Sequence, residues 1–378
     1  MIPFNKPHAT GKEITYIHDA VYEQGHISGN GKYTKLCHTY FQKQFGFKNC
    51  LLTTSCTDAL EMAALLIGIL PGDEVIVPSF TFVSTALAFV RQGARIIFCD
   101  SRKDHPGMDE DKIEELISSR TKVIVVVHYA GVACDMDKIM TIAKKNNLYV
   151  VEDAAQAIDS YYKKVVLGSI GHLGCFSFHE TKNINCGEGG MLVVNDDRFI
   201  ERAEILWEKG TNRAAFFRGQ IDKYGWVDTG SSFLPSDISA AYLYAQVEKL
   251  KEIQEKRCLI RNSYLNRLRW LETDRLVQLP VLPPYATNNG HMFYLVCKSI
   301  EIRSGLINHL KSKNIQAVFH YQSLHRSQFY SKSNSQRLPY SDHYSNCLVR
   351  LPLYYDLSQQ EIDTICSVTG LYFKRQKS

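Results

Sequence analysis

Short apolar runs alternate along the first half of the chain with longer segments in which apolar residues recur every three or four positions. The runs at 74–77, 95–99, 123–127 and 148–151 are rich in Val and Ile, which predicts buried strands. The segments between them have the period of helices that are apolar on one face. Strands that alternate with helices indicate an α/β fold with a mainly parallel central sheet covered on both faces.

The second half of the chain continues the alternation and then changes character after residue 250. We predict a large domain over 1–250 and a smaller C-terminal α+β domain over 251–378. The further strands are predicted at 175–178, 191–194, 291–296 and 316–321. The helices are predicted at 14–22, 33–45, 59–67, 109–117, 136–146, 200–209, 238–250, 253–271 and 304–312, with a long loop at 210–224.

Composition limits the classes of protein that this chain can be. Hydrophobic residues make up 45% of its 378 positions, yet no window has the roughly 18 uninterrupted apolar residues of a membrane helix. The first residues lack the apolar core of a signal peptide, which predicts a cytoplasmic protein. The net charge of +5 is spread along the chain, so it favours a small anionic substrate over nucleic acid.

Cysteine and histidine give no sign of a metal centre or a disulfide framework. The eleven cysteines are scattered and form no C-x-x-C pair, so we expect reduced thiols. His128 and His179 follow apolar runs but have no convergent set of ligands around them in the sequence, and packing or hydrogen bonding is the simpler role. We therefore predict that no metal is bound.

An acidic and a basic residue each follow a predicted buried strand, where α/β sheets bind their ligands. Asp153 comes two residues after the strand predicted at 148–151, and Lys182 comes shortly after the strand predicted at 175–178. A lysine that binds pyridoxal phosphate (PLP) covalently works with a carboxylate at the ring nitrogen, because the protonated ring withdraws electrons from the reacting carbon. Gln156 would return to the same side after one helical turn, within reach of the ring 3-oxygen, and Ser177 offers a hydroxyl to the phosphate.

The start of the helix predicted at 59–67 is a candidate anion site. Ser55 and Asp58 have the spacing of a capping box, which marks a helix N-terminus. Free backbone N–H groups and the positive end of the helix dipole favour an anion at this position.

Three segments together resemble a known family. They are Glu152-Asp153-Ala154-Ala155-Gln156, the run from Ser177 to Lys182, and Gly187-Glu188-Gly189-Gly190. They are similar to the signature of the DegT/DnrJ/EryC1/StrS family, PLP-dependent nucleotide-sugar aminotransferases with the aspartate-aminotransferase fold, fold type I. The resemblance extends over nearly the whole chain. Within the family, the segments at 127–134, 208–213 and 291–294 are most similar to the branch that makes dTDP-4-amino-4,6-dideoxygalactose from the 4-keto sugar nucleotide.

The resemblance implies a cofactor, a reaction and a set of site residues. The cofactor is PLP, L-glutamate is the amino donor, and the product serves cell-surface polysaccharide biosynthesis, such as lipopolysaccharide O-antigen or enterobacterial common antigen. Lys182 is the implied catalytic residue. The implied cofactor contacts are those of Cys56, Thr57, Phe82, Asp153, Gln156, Ser177, Lys182 and Ser232. The implied substrate contacts are those of Gly29, Arg213, His320, Tyr321 and His325.

Ser232 and Arg213 are the two implied contacts for which the sequence gives further information. Ser232 stands where many family members have an Asn that reaches the cofactor phosphate of the neighbouring subunit, so its contact is left open. Arg213 lies in the loop at 210–224, whose cations and aromatic rings match the needs of a nucleotide diphosphate. Because the implied site includes loops from two subunits, we expect a homodimer.

Other functions remain as alternatives. The amino group could go to C3 of the sugar, the product could have the gluco configuration, or the nucleotide could be UDP. A non-catalytic PLP-binding regulator would have the same fold. A PLP-fold dehydratase would carry His in place of Lys182, and a nicotinamide dehydrogenase would need G-x-G-x-x-G after its first strand, which this chain lacks.

Overall fold

The structure is a computed structural model that describes residues 1–330 and 336–376. Within these ranges the α-helices are α1 (Glu13–His18), α2 (Lys32–Phe45), α3 (Cys56–Ile67), α4 (Ser84–Val90), α5 (Met136–Lys145), α6 (Ile200–Trp207), α7 (Arg213–Phe217), α8 (Asp237–Glu248), α9 (Leu250–Thr273), α10 (Ile300–Ser312), α11 (Pro339–Cys347) and α12 (Gln359–Arg375). The strands are β1 (Asn49–Thr53), β2 (Glu74–Pro78), β3 (Arg95–Cys99), β4 (Thr121–Val127), β5 (Tyr149–Asp153), β6 (Tyr161–Tyr162), β7 (Val165–Val166), β8 (Leu173–Ser177), β9 (Gly190–Val194), β10 (Val277–Gln278), β11 (Phe293–Cys297), β12 (Val318–Phe319) and β13 (Leu348–Leu351).

Seven strands form the large sheet, in the order β1-β9-β8-β5-β4-β2-β3. Strand β9 runs antiparallel to both of its neighbours, and the other adjacent strands are parallel. The connection from β8 to β9 contains no crossover helix, so β9 must return antiparallel to β8. The predicted α/β fold with a mainly parallel central sheet is confirmed.

The central strands of this sheet are buried on both faces, as their continuous apolar sequence requires. In β4, Val123 and Val125 pack in one apolar layer, and Ile124 and Val126 pack in the layer on the other side. Helix α3 belongs to the first layer and α2 to the second. The sheet is therefore held rigidly between two layers of helices, and the ends of its strands have fixed positions.

A smaller antiparallel sheet, in the order β10-β11-β13-β12, lies in the C-terminal part of the chain. It shares an apolar core with the long helix α9 and with α10 and α12. The predicted boundary after residue 250 falls where α8 gives way to α9, and the extent of the two domains stays a prediction. Residues 331–335 and 377–378 of the predicted second domain lie outside the described residues.

Two local predictions were wrong. The segment 109–117 was predicted to be one helix, but it forms two 3₁₀ turns, Glu110–Lys112 and Glu114–Leu116. Only Ile113 of these residues is a buried apolar residue, so a full helix there would gain little from packing. The segment 210–224 was predicted to be a loop, but it contains α7, where two alanines favour a helix.

No helix among the described residues is both long and apolar enough to cross a membrane.

Candidate active site

A cavity of about 460 Å³ opens where β4, β5 and β8 end. Its floor includes Val127, Asp153 and Ser177, the last residues of those three strands. The small sheet and its loops close the other side with His291, His320, Tyr321 and Arg350. The predicted site residues that line the cavity are Cys56, Thr57, Phe82, Asp153, Gln156, Ser177, Lys182, His320 and Tyr321.

Asp153 is buried at the bottom of this cavity and held by two hydrogen bonds. Its Oδ2 accepts a bond of 2.7 Å from the hydroxyl of Thr85, and its Oδ1 accepts one of 3.2 Å from the backbone N–H of Ala155. Burial raises the pKa of Asp153, and these two bonds with the nearby charge of Lys182 act in the opposite direction. The carboxylate is thus fixed in orientation and poorly solvated, so a cationic partner in the cavity would stabilise its ionised form.

Lys182 reaches the same cavity from the loop between β8 and β9. Its backbone N–H donates to His179 O at 2.9 Å, which fixes the turn that carries the side chain. Desolvation lowers the pKa of Lys182, Cys56 and Asp153 raise it, and the charge of Arg350 lowers it. Because the net direction is downward, more of this amine is neutral and nucleophilic at a given pH than for a solvated lysine.

Gln156 is held between the large and the small sheet. Its Oε1 accepts from the backbone N–H of Ala130 at 2.6 Å, and its Nε2 donates to the Tyr321 hydroxyl at 3.1 Å. Burial raises the pKa of Tyr321, so this phenol is neutral. Since its oxygen already accepts from Gln156, the Tyr321 O–H is available to donate to a ligand in the cavity.

The start of α3 forms one wall of the cavity. Ser55 is its N-cap, and the Ser55 hydroxyl accepts from the Asp58 N–H at 3.1 Å. Among the described residues, the backbone N–H groups of Cys56 and Thr57 have no acceptor. A Cβ on Gly190 would lie 2.4 Å from the Cys56 nitrogen, so only glycine lets β9 pass this close to the helix start.

Phe82 and Ser177 also line the cavity. Phe82 is 55% exposed, and the centre of its ring lies 6.0 Å from that of Tyr321. An aromatic ring left this exposed in a cavity offers its face to a flat ligand. The Ser177 hydroxyl accepts only a long bond of 3.4 Å from the His179 N–H, so its own hydrogen is available to an anion.

His320 contacts both Arg350 and Tyr129 on the side of the cavity that the small sheet closes. Arg350 Nη1 lies 3.1 Å from His320 Nε2, and the Tyr129 hydroxyl lies 3.1 Å from His320 Nδ1. An arginine can only donate, so Nε2 is the acceptor and the proton of His320 is on Nδ1. Burial and the charge of Arg350 lower the pKa of His320 well below its usual value, and the ring is therefore neutral.

Four predicted residues do not line the cavity of their own chain. Gly29 packs against Leu234 and Pro235. Arg213 begins α7, where its Nη1 lies 3.7 Å from Glu208 and its guanidinium covers the ring of Phe217. Ser232 is exposed beside Glu208. His325 is buried outside the cavity, with its Nδ1 2.6 Å from the hydroxyl of Ser79.

Glu152 and His128 support the floor from behind. Both are fully buried, and His128 Nε2 lies 2.9 Å from Glu152 Oε2. Glu152 also accepts from the backbone N–H groups of Gly168, Ile170 and Gly171 at 2.6–2.8 Å. A carboxylate with this many donors ties the loop before β8 to the end of β5, which holds Asp153 in place.

Among the residues of this site that sequence reasoning missed are Thr85, His291 and Arg350. Thr85 holds Asp153, and His291 lines the cavity with its Nδ1 2.9 Å from Asn183, the residue after Lys182. Arg350 had a signal that could have been used, because it is a lone cation in the apolar strand Leu348–Leu351. Such a charge is rarely buried without a partner.

The residues of the cavity fit PLP. The free N–H groups at the start of α3, with the hydroxyls of Thr57 and Ser177, form a set of donors for a phosphate. Asp153 supplies a fixed carboxylate for a protonated ring nitrogen, and Lys182 supplies an amine with a lowered pKa. The exposed face of Phe82 can stack on an aromatic ring.

Comparison with known proteins agrees with this fit. The model of the DegT/DnrJ/EryC1/StrS aminotransferase family matches residues 8–369. The chain is 31% identical over 383 aligned positions to the spore coat polysaccharide biosynthesis protein SpsC of Bacillus subtilis (strain 168), with 96% of this chain and 95% of that protein covered. It is 32% identical over 373 positions to the GDP-perosamine synthase of Escherichia coli O157:H7, with 98% of each chain covered.

A solved structure has the same fold over its full length. The PLP form of the sugar aminotransferase Spr1654 of Streptococcus pneumoniae, described as putative, superposes with a TM-score of 0.91 at 25% identity. The superposition covers 99% of this chain and 99% of that protein.

Proposed function

Because this chain belongs to the DegT/DnrJ/EryC1/StrS aminotransferase family, whose members are PLP-dependent, we propose that it transfers an amino group from L-glutamate to C4 of a dTDP-linked 4-keto-6-deoxyhexose. The product would be dTDP-4-amino-4,6-dideoxygalactose. The observation that carries the proposal is that Lys182, Asp153 and the start of α3 line one cavity. Each matches a different part of PLP: the aldehyde, the ring nitrogen and the phosphate.

PLP supplies, when bound, the electron-withdrawing ring that makes the α-hydrogen of an amino acid acidic. In this proposal the Lys182 amine binds the cofactor and is released from it by the amino donor. The free amine then accepts the proton from the α-carbon of the donor and delivers it to the cofactor. The lowered pKa of Lys182 suits this role, because the base must be neutral to accept a proton. Asp153 holds the ring nitrogen in its protonated state.

The other predicted cofactor contacts have these proposed roles. Cys56, Thr57 and Ser177 hold the phosphate, Phe82 stacks on the ring, and Gln156 donates to the ring 3-oxygen. Gln156 Nε2 donates to Tyr321 in this structure, so ligand binding would require it to share or exchange that partner.

The substrate contacts and the quaternary structure are proposed together. His320 and Tyr321 line the cavity and can contact the sugar directly. Gly29, Arg213 and Ser232 lie outside the cavity of their own chain, so their predicted roles require a second subunit. The segment around Arg213 exposes Phe217 at 68% and Trp226 at 84%, and covering these side chains would favour a homodimer.

The nucleotide and the position of amination rest on sequence similarity. The segments at 127–134, 208–213 and 291–294 favour the dTDP-linked 4-keto sugar. The identity of 32% to a GDP-perosamine synthase favours a GDP-linked sugar as the second candidate. The similarity to a spore coat polysaccharide protein supports a role in surface polysaccharide synthesis under either assignment.

The test is a substrate panel with purified protein, PLP and L-glutamate. The dTDP-, UDP- and GDP-linked 4-keto-6-deoxyhexoses are each supplied, and the products are identified by NMR. We expect the dTDP substrate to give the 4-amino galacto product with the highest kcat/KM. Lys182→Ala should lose at least about 10⁴-fold in kcat, because both the covalent attachment and the proton transfer depend on that amine.

The controls separate this function from its alternatives. Borohydride reduction of the wild type, followed by digestion and mass spectrometry, should fix a pyridoxyl group on the peptide that contains Lys182. A GDP or UDP product would correct the nucleotide, and a C3-amino or gluco product would correct the regiochemistry or stereochemistry. Binding of PLP without conversion of glutamate to 2-oxoglutarate would favour a regulator, and near-normal turnover by Lys182→Ala would refute the proposal.

A further inference from the structure

The residue after Lys182 is a buried asparagine that uses both hydrogens of its amide. Asn183 is 5% exposed and lies where the loop between β8 and β9 meets α9 and the segment before β11. Its Nδ2 donates to Gln254 Oε1 at 2.7 Å and to the carbonyl of Asn289 at 2.9 Å. Its Oδ1 lies 2.9 Å from Nδ1 of His291, which lines the cavity.

These contacts decide which nitrogen of the His291 ring carries a proton. A carbonyl can only accept, so the contact with Asn289 identifies Nδ2 of Asn183 as the amide nitrogen. Gln254 is oriented in the same way, because its Nε2 donates to the carbonyl of Ile158 at 3.1 Å. Both amide hydrogens of Asn183 are then used, and its Oδ1 can only accept. His291 therefore donates to Asn183 and carries a proton on Nδ1.

The other nitrogen of the His291 ring is an unprotonated acceptor. Burial, followed by the charges of Lys182 and Arg350, lowers the pKa of His291 well below its usual value. The other groups that act on the ring, Arg257 and His320, shift its pKa in the same direction. The ring is therefore neutral, with its one proton on Nδ1. Among the residues that the structure describes, none donates to Nε2, so this lone pair is open to a donor in the cavity.

The backbone of His291 is fixed by the same buried network. Its N–H donates to Oδ1 of Asn289 at 3.0 Å, and its carbonyl accepts from Arg257 at 2.9 Å. Nδ2 of Asn289 donates in turn to the carbonyls of Gln156 and Ile158 at 2.9 and 2.8 Å. A buried polar network whose members are paired in this way is rigid, so the ring of His291 has a defined place at the cavity wall.

Lys182 is the cation of the cavity whose charged group has no partner. Within residues 1–330 and 336–376, its Nζ makes no hydrogen bond and no ion pair. The other cation, Arg350, already donates to His320 at 3.1 Å. Because Lys182 directly precedes Asn183, the network that holds Asn183 and His291 also fixes the point from which the lysine side chain begins.

An ammonium group in this cavity needs an acceptor. Lys182 becomes an ammonium when it takes up a proton, and burial makes that form costly without a partner. Cys56 and Asp153 are the groups that raise the pKa of Lys182, but burial keeps the Cys56 thiol protonated and Asp153 already has two donors. Nε2 of His291 is an acceptor that stays neutral and available.

We propose that His291 is a positioning residue for Lys182: its Nε2 accepts a hydrogen bond from the lysine amine, and Asn183 holds the ring in the tautomer that can accept. The inference rests on the proposed function, in which Lys182 carries the proton. That proton stays bonded to the lysine nitrogen and does not pass to His291. The lone pair of His291 directs the amine and stabilises its charged form.

The main test measures Lys182 in the PLP-free protein. Acetic anhydride labels only the neutral form of an amine, and mass spectrometry of the peptide that contains position 182 follows the labelling against pH. His291→Phe removes the acceptor and destabilises the ammonium. The pH of half-maximal labelling should therefore fall by about one unit, the size expected for a hydrogen bond to a charged group. His291→Gln offers an amide oxygen instead, so its midpoint should fall by less.

The role of Asn183 is tested in the same assay. Asn183→Leu frees His291 to carry its proton on Nε2, so the labelling midpoint should fall here too, and the double variant with His291→Phe should fall no further than His291→Phe alone. The matched control is Asn195→Leu. Asn195 also donates its amide to two carbonyls, those of Gly168 and Gly171 at 3.0 and 2.9 Å, but it does not line the cavity. This variant should lose stability and label as the wild type does.

Two further measurements separate positioning from a general loss of structure. In protein with ¹⁵N-labelled histidine, the NMR signals that disappear in His291→Phe should show a neutral ring with its proton on Nδ1, and in Asn183→Leu part of that proton should move to Nε2. In the PLP-loaded enzyme, His291→Phe should lower kcat with glutamate on the order of tenfold while KM changes little, because the amine is misdirected after the donor has bound.

The outcomes distinguish this inference from the proposed function. An unchanged labelling midpoint in His291→Phe would overturn the assignment, and a raised midpoint would show that His291 donates to Lys182 instead. A wild-type His291 with its proton on Nε2 would also overturn it. If the midpoint falls as expected but no keto-sugar nucleotide is aminated, the contact between His291 and Lys182 stands and the proposed function fails. If amination occurs and the midpoint does not move, the reverse holds.

Discussion

At the scale of the single residue, Asp153 is a site residue whose ionised carboxylate lowers the stability of the cofactor-free fold. Its carboxylate is buried, and desolvation raises its pKa despite the donors Thr85 and Ala155. The folded, cofactor-free chain therefore favours the protonated acid more than the unfolded chain does. A PLP ring nitrogen would supply the positive partner that this arrangement lacks.

We predict that Asp153→Asn makes the cofactor-free protein more stable at pH 7 while abolishing amino transfer. The unfolded pKa is near 3.8 and the folded pKa is higher, so the stabilising protonated form is lost as pH rises through the folded pKa. Asn copies the neutral form. Its Oδ1 can keep the Ala155 N–H, and its Nδ2 can donate to Thr85, whose hydroxyl then donates to Thr81 at 2.9 Å.

Thermal unfolding of the cofactor-free proteins from pH 3 to pH 7.5 measures this effect. The gain for Asp153→Asn should shrink as pH falls toward 3.8 and disappear below it. Asp137→Asn is the control with the opposite sign, because Lys163 lowers the pKa of the exposed Asp137 and the stabilisation is lost as pH falls. A variant Asp153→Asn that is less stable than the wild type at pH 7 would contradict the desolvation argument.

Sequence reasoning could find Asp153, Gln156 and Lys182 because each stands at a fixed offset from an apolar strand. It could not find Thr85, whose only role in the site is the bond of 2.7 Å to Asp153 across 68 positions of the chain. Nor could it exclude His325, which the structure buries against Ser79 outside the cavity. Local patterns carry the identity of such residues, whereas their contacts depend on tertiary packing.

At the scale of the element, one buried side chain joins two helices. Asp237 is in the first turn of α8, yet its carboxylate caps the start of α2. It accepts from the backbone N–H groups of Tyr33 and Thr34 at 3.1 and 2.9 Å and from the Thr34 hydroxyl at 2.8 Å. Gly31 precedes α2, and a Cβ there would lie 2.5 Å from the Asp237 carboxylate.

We predict that Asp237→Ala lowers the free energy of unfolding by about 3–5 kcal/mol, because it leaves buried donors without an acceptor. Ser236→Ala is the matched control on the adjacent residue. Ser236 caps only its own helix by accepting from the Ser239 N–H at 3.2 Å, and its loss should cost about 1 kcal/mol. Urea unfolding measures both, and equal losses would show that the bridge to α2 adds nothing.

The predicted elements were most reliable where apolar periodicity and packing agree. The strand at 95–99 has the same bounds in the structure as in the prediction, Arg95–Cys99. Prediction was wrong at 109–117, where an acidic helix-like pattern has too few buried residues to form a regular helix. It missed α7 because that segment is only five residues long and has no buried residue to reveal a period.

At the scale of the whole molecule, the cavity exists only because two sheets meet. The large sheet supplies Asp153, Ser177 and the approach of Lys182, and the small sheet supplies Arg350 with the loop that carries His320. The order of the predicted strands could indicate that the large sheet is mainly parallel. The same order could not indicate which face of the small sheet lies toward the cavity. That orientation is set by the apolar contacts of Leu348, Tyr294 and Tyr344 with Phe80 and Tyr129, which follow strands β2 and β4 of the large sheet.

Two histidines in the first third of the chain, His38 and His105, predict how the whole fold responds to acid. His38 lies in α2, and its Nε2 accepts from the Leu52 N–H of β1 at 2.9 Å. The Nδ1 of His105 accepts from the Gly107 N–H at 2.9 Å. Burial lowers the pKa of each from 6.5 to about 4, so each is neutral in the folded protein near pH 7 and its protonation costs stability.

The sign of the pH dependence follows from the linkage between proton binding and folding. A depressed folded pKa gives stability that is present above the unfolded value of 6.5 and is lost as pH falls toward 4. Each histidine should therefore remove about 3 kcal/mol between pH 7.5 and pH 4. His38→Gln keeps an acceptor for Leu52 without a titrating group, so its urea-unfolding free energy should fall less steeply over this range, by about 3 kcal/mol. His18→Gln, at an exposed position on α1, should follow the wild-type slope, and a wild-type slope for His38→Gln would mean that His38 is protonated in the folded protein without cost.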